Sequence, residues 1–247
     1  MKSKLLCGTL AAALILSASV TTGLRAESSP SPTGVPTGSL SVSHSMVRVG
    51  ARPVLNWNIT YPSVVQNYVT VVPPGTVQPK ENLICDVRIL GAGVTAKASN
   101  SSNYTFVRTE GRMRVNGSST WTTIFDGVNT DQVVKKQNII KTFNITKGQA
   151  IDFGGRYYYN NSWSTQYTSL NGDNVRTLVN GQTPPSNVPD YNAPSLESFL
   201  RPYLDSSGKV KIGPMDVIVF MELTHTDKSD IGYDLQDLVL LVTFRKS

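Results

Sequence analysis

The chain predicts an all-β fold, an antiparallel β-sandwich with long loops and at most one short helix, on three observations. Short apolar segments alternate with polar residues and are closed by Pro, Gly or Asn, as in the run that ends at Tyr61 before Pro62. Two late segments, Val217–Leu223 and Leu238–Phe244, are apolar on both faces, the pattern of strands covered from both sides. Helical spacing occurs once, where Leu196, Phe199, Leu200 and Tyr203 fall at i, i+3, i+4 and i+7 after the N-cap candidate Ser195, with Pro202 set to stop or kink the turn.

Residues 1–26 read as an export signal peptide. Lys2 and Lys4 charge its start, Leu5–Val20 is apolar but too short to span a bilayer, and Ala26 ends a stretch suited to cleavage. The expected mature chain begins near Glu27. Cys7 leaves with the leader, so Cys85 is the one remaining thiol and no intrachain disulfide is available. Loss of Lys2, Lys4 and Arg25 lowers the formal net charge from +6 to +3, and the other cations are scattered apart from Lys135-Lys136 and the alternating Arg112 and Arg114. That distribution argues against nucleic acid as a partner. No later apolar run reaches the length of a transmembrane helix. Six N-x-S/T sequons, at Asn58, Asn100, Asn103, Asn116, Asn144 and Asn160, carry no meaning in the bacterial exported protein that a large domain with a single Cys suggests.

Residues 27–38 (ESSPSPTGVPTG) form a flexible Ser/Pro/Gly/Thr linker, and the β-sandwich domain is expected over 39–247, with two smaller β domains divided near Gly148 as the alternative. Leu40, Val42, Val47 and Val49 offer a first strand. In the next, Leu55, Trp57, Ile59 and Tyr61 share one side. Val69–Val72 stops at Pro73-Pro74-Gly75, and Leu83–Leu90 turns Leu83, Cys85, Val87 and Ile89 to one face. Tyr104–Thr109 and Arg112–Asn116 read as a hairpin turning at Glu110-Gly111, followed by an Asn116-Gly117 turn before Trp121–Phe125. Val133–Ile145 carries strand pattern, and a Gly154-Gly155 turn is expected between Ala150–Phe153 and Tyr157–Tyr159. Asn180–Pro194, with four prolines, reads as an irregular connection.

Two clusters carry candidate chemistry. In Thr224–Asp237 the carboxylates Asp227, Asp230, Asp234 and Asp237 offer oxygen ligands for calcium, although the spacing is not that of an EF-hand. Between Arg156 and Tyr167, the residues Arg156, Tyr158, Asn160, Trp163, Gln166 and Tyr167 interleave rings with amides, the chemistry that stacks on and hydrogen-bonds sugars. Catalytic residues are not assigned. His44 and His225 lie in no recognised motif, Cys85 reads as a core filler, and a glycosidase pair would have to come from Asp216, Glu222 or Asp237.

The function expected is that of a non-catalytic exported protein, periplasmic or extracellular, acting through its surface as an envelope-associated, matrix or adhesion component with a glycan or protein partner. The alternative is a carbohydrate-binding module using Tyr157–Tyr167; an extracellular hydrolase comes third. No cofactor is expected apart from calcium.

Overall fold

The computed structural model describes residues 37–42, 55–60, 62–97, 103–170, 172–185, 200–230 and 232–247. The strands are β1 Thr37–Val42, β2 Leu55–Thr60, β3 Val69–Val72, β4 Thr76–Pro79, β5 Leu83–Gly91, β6 Thr95–Lys97, β7 Tyr104–Phe106 and β8 Thr109–Val115. They continue as β9 Thr122–Gly127, β10 Lys141–Ile145, β11 Ile151–Tyr159, β12 Ser162–Trp163, β13 Tyr167–Thr168, β14 Val175–Val179, β15 Asp216–Met221 and β16 Leu238–Lys246. Helical structure among the described residues is one turn, α1 Val65–Tyr68, and a 3-10 turn at Arg201–Tyr203. No helix there is long and apolar enough to cross a membrane.

Two antiparallel sheets make the sandwich. One runs β10-β5-β16-β15-β14, the other β3-β4-β11-β8-β9 with β12 and β13 added beside β11. Both sheets draw strands from either side of Gly148. Between them lies the main core, where Cys85, Val87 and Ile89 of β5, Val217 and Val219 of β15, and Leu240 and Val242 of β16 meet Ile151 and Phe153 of β11 and Met113 of β8. Cys85 is buried there, and burial pushes its thiol pKa well up, with the charge of Asp86 adding to the effect.

The two apolar C-terminal segments are antiparallel neighbours, Ile218 opposite Leu241 and Phe220 opposite Val239. Their second face is covered as well. Leu90, Ile218, Phe220, Val239 and Leu241 pack under Leu200, Tyr203, Val210, Tyr233 and Leu235, which explains why these strands lack a polar side. Leu200 and Tyr203 thus reach the core through a 3-10 turn. The rest of the expected helix, from Ser195 to Phe199, lies outside the described residues, as do Val47 and Val49.

Two glycine readings are corrected. Glu110-Gly111 is no hairpin turn: β8 runs straight through it, with a bulge opposite β9, and a Cβ on Gly111 would meet Leu238 of the facing sheet at 3.1 Å. Gly154-Gly155 is likewise the middle of the nine-residue β11, opposite Arg112 and Gly111 of β8. A Cβ on Gly154 would fall 2.6 Å from the Tyr167 carbonyl oxygen, so the missing side chain admits β13 at close range. By contrast Asn116-Gly117 is a turn, both residues holding the positive φ that Asn and Gly tolerate. Of the strand pattern over Val133–Ile145 only β10 is strand; the stretch before it is a looped connection between the sheets. β14 (VRTLV) alternates visibly but was not expected.

Replacing Gly154 by Val forces β13 off β11. The expected cost is about 1–3 kcal/mol, read as a lower urea midpoint at unchanged m-value.

Candidate functional site

The outer face of the seven-stranded sheet is built by strand alternation. Glu110, Arg112 and Arg114 recur every second residue of β8, and β11 sets Arg156 opposite Glu110 and Asp152 opposite Arg114. Arg156 Nε donates to Glu110, Arg114 Nε to Asp152 at 2.9 Å, and Thr123 of β9 also donates to Glu110. Just before β8, Arg108 forms a two-bond fork with Asp126 at 2.7 and 2.6 Å, and that hydrogen bond first of all holds the Asp126 carboxyl below its usual range.

Trp163 sits among these guanidinium groups. β12 pairs Trp163 with Tyr158, their rings edge-to-face with centroids 5.2 Å apart. Arg156 lies 4.3 Å and Arg108 5.2 Å from the Trp163 centroid, and Arg114 caps Trp121 in the same way. Of the six expected ligand-binding residues, Arg156, Tyr158 and Trp163 therefore meet in one half-buried cluster. Gln166 joins the same face through Arg112 Nη1, which donates to its Oε1 at 2.5 Å. Asn160 does not join the cluster: with Asn161 it makes the positive-φ turn between β11 and β12. Tyr167 packs against the main core, and burial, with lesser contributions from Tyr157 and Glu222, raises its hydroxyl pKa. Arg108, Glu110, Asp126 and Asp152 were missed; the two-residue spacing Glu110-Arg112-Arg114 points to Glu110 once β8 is unbroken, whereas Asp126 and Asp152 lie on β9 and β11 and leave no such signal.

The acidic connection divides differently from the calcium reading. Asp234 and Asp237 converge with Glu222, their carboxylate oxygens within 4.8 Å, whereas Asp227 and Asp230 stay exposed and outside the cluster. Asp227 accepts from the backbone and hydroxyl of Ser229, and Asp230 from Gly232 N. The His225 ring lies over Gly232, where a Cβ would fall 2.5 Å from Cε1, with Nε2 3.7 Å from Asp230.

Glu222 is fully buried and ringed by donors. Its Oε1 accepts from Thr224 N, Thr224 Oγ1 and His225 N at 2.9, 2.6 and 2.9 Å, and its Oε2 from Asp234 N at 3.1 Å. Asp237 Oδ2 accepts from Leu223 N and Thr224 N at 2.7 and 3.1 Å. Burial pushes the Glu222 pKa up, but hydrogen bonds from Asp237, Thr224 and the backbone outweigh it and hold the group ionised. Burial first, then the negative charge of Glu222 and the bond donated to it, drive Asp237 well above the carboxylate range. Glu222 is thus pushed toward its charged form and Asp237 toward its protonated form. The two carboxyls touch in a buried spot, and so lack the separation of about 5 Å or more at which two carboxylates flank a glycosidic bond. Asp216 is committed elsewhere, to Thr243 and Gly213.

Set against protein-family models, curated proteins and solved structures, the chain matches none.

The carboxyl pair gives stability a pH window. Glu222, with its folded pKa lowered, stabilises above its ordinary pKa of 4.5 and loses that contribution as pH falls. Asp237, with its folded pKa raised, stabilises below its ordinary 3.8 and loses that contribution as pH rises toward the folded value. Asp237→Asn keeps a donor toward Glu222 and has no proton to lose. Above the ordinary carboxylate values of 3.8 and 4.5, urea midpoints are expected to fall more steeply with pH in wild type than in this variant, the buried Cys85 and Tyr167 contributing the same alkaline loss to both.

Proposed function

We propose that the protein works without catalysis, as an exported component of an envelope, matrix or adhesive layer that acts by being bound through its surface. One observation carries the reading. β1 and β2 form a separate two-stranded hairpin in which Leu40 stands opposite Trp57, and Leu40, Leu55, Trp57 and Ile59 are all exposed, Trp57 at 67%. A contiguous apolar face of this kind is costly in water and marks a contact surface. Ser39, Ser41 and Asn56, at the alternate positions, give the hairpin a polar opposite side.

Fractionation of the producing cells tests this reading. The protein is expected with envelope or matrix material, released by Trp57→Asp, and without turnover on a panel of extracellular polymers. Recovery as a free protein that hydrolyses one of those polymers would remove the proposal.

A second reading, glycan binding, is favoured by the Arg108–Trp163–Arg156 cluster with Tyr158 at its edge, because guanidinium and ring edges together suit a hydroxyl-rich ligand. On a glycan array, Trp163→Ala is expected to weaken any bound sugar about thirtyfold or more while the thermal melt still shows a cooperative fold. A glycan signal that ignores this substitution places the contact elsewhere.

A further inference from the structure

Four edges close the two sheets of the sandwich, and three are guarded. β14 is occupied: Thr177 N donates to Pro74 O at 3.3 Å and Val179 N to Gln182 Oε1 at 2.9 Å. β3 has four residues and ends at Pro73-Pro74, and β10 carries an exposed Lys141. β9 (TTIFDG) has neither Pro nor Lys, and its one charge, Asp126, is matched by Arg108. Beside it runs an open groove of about 770 Å³, whose apolar lining comes from Ile124, Phe125, Val133, Ile139 and Ile140. Val133 and Ile139 are 45% and 47% exposed.

We infer that this groove receives the β1–β2 hairpin of a second copy of the chain, which adds its strands to the edge of β9 and lays its apolar face against Ile139 and Val133. The inference rests on the surface-acting reading above and names its partner. Three features support a second copy. First, the hairpin carries no charged residue, the groove's one charged residue, Asp126, is already paired with Arg108, and Gln132, Gln137 and Asn138 are neutral amides, so neither surface must desolvate an unpaired ion. Second, the exposed apolar residues of the hairpin and of the groove are matched in kind, and a free strand edge beside an apolar groove is the arrangement that accepts an added strand. Third, the chain's own hairpin does not fill its own groove: Leu40, Trp57 and Ile59 on the one and Val133 and Ile139 on the other are all exposed. The contact joins two different surfaces, so it is heterologous and grows head to tail unless the rotation closes a ring.

The test uses the full chain, expressed with its leader so that the host's own processing acts, and sedimentation velocity over a range of concentrations. Wild type is expected to form concentration-dependent oligomers. Trp57→Asp and Ile139→Lys are each expected to be monomeric, with thermal melts like wild type; Leu40→Lys and Val133→Lys serve as second variants of each surface. An equimolar mixture of Trp57→Asp, which keeps its groove, and Ile139→Lys, which keeps its hairpin, is expected to give heterodimers and nothing larger. A wild type that stays monomeric at every concentration overturns the inference. So does association of Ile139→Lys at wild-type strength, which would mean that hairpins pair face to face. In that last case, with the protein still in the envelope or matrix fraction, the surface reading stands and only the groove assignment falls.

Discussion

The structure depends on a sheet whose central strands have no polar side. β15 and β16 bury Val217, Val219, Leu240 and Val242 against the facing sheet and Ile218, Phe220, Val239 and Leu241 under the segments around 200–212 and 233–235. Each added apolar layer contributes roughly 25 cal/mol per Å² of surface removed from water, and a third layer lets a chain without a disulfide bury enough. The consequence reaches the loops. They must return over the sheet to cover it, so the connection at 224–237 is a lid on the core as well as a link between strands.

That connection is anchored by an arrangement that is expensive alone and stable as a set. A buried carboxylate is paid for only by donors, and Glu222 collects them from Thr224, His225, Asp234 and the proton of Asp237. Asn174 closes the other side, donating to the carbonyls of Glu222 and His225 at 3.0 and 2.6 Å. These donors point at the carboxylates from the backbone, so the cluster is organised around N–H and O–H donors. The four carboxylates read from the sequence as ion ligands divide into turn caps, Asp227 and Asp230, and the pair that converges with Glu222, half-buried Asp234 and buried Asp237.

Much of the fold was legible because burial on one or both faces leaves a period in the sequence. β3, β5, β15 and β16 follow from that pattern alone, as does the inward turn of Cys85. What was not legible is set by neighbours distant in sequence. Gly111, Gly154 and Gly155 look like turns, yet each is a gap filled by another strand: Leu238 packs at Gly111, Tyr167 at Gly154, and Leu223 and Met221 at Gly155. Reading them as turns cut β8 and β11 in two and hid the charge ladder of Glu110, Arg112, Arg114, Asp152 and Arg156. The aromatic half of that site, Tyr158 and Trp163, was visible because the Asn160-Asn161 turn brings them together within a few residues. Of its acidic partners, Glu110 and Asp126 come from β8 and β9.

The same logic separates two kinds of exposed residue on this surface. Along the charge ladder each guanidinium already holds a carboxylate, a ring or an amide, with Arg112 Nε the one buried guanidinium nitrogen there that finds no hydrogen bond, so that face is largely stable without a partner. The hairpin differs. Leu40, Leu55, Trp57 and Ile59 gain nothing from water, and neither β1 nor β2 carries a charged residue. A two-stranded hairpin is at best marginally stable alone, so covering its apolar face would stabilise both the hairpin and the contact it makes. Binding and folding of that segment are then one event, and the energy that orders the hairpin is the energy that holds its partner.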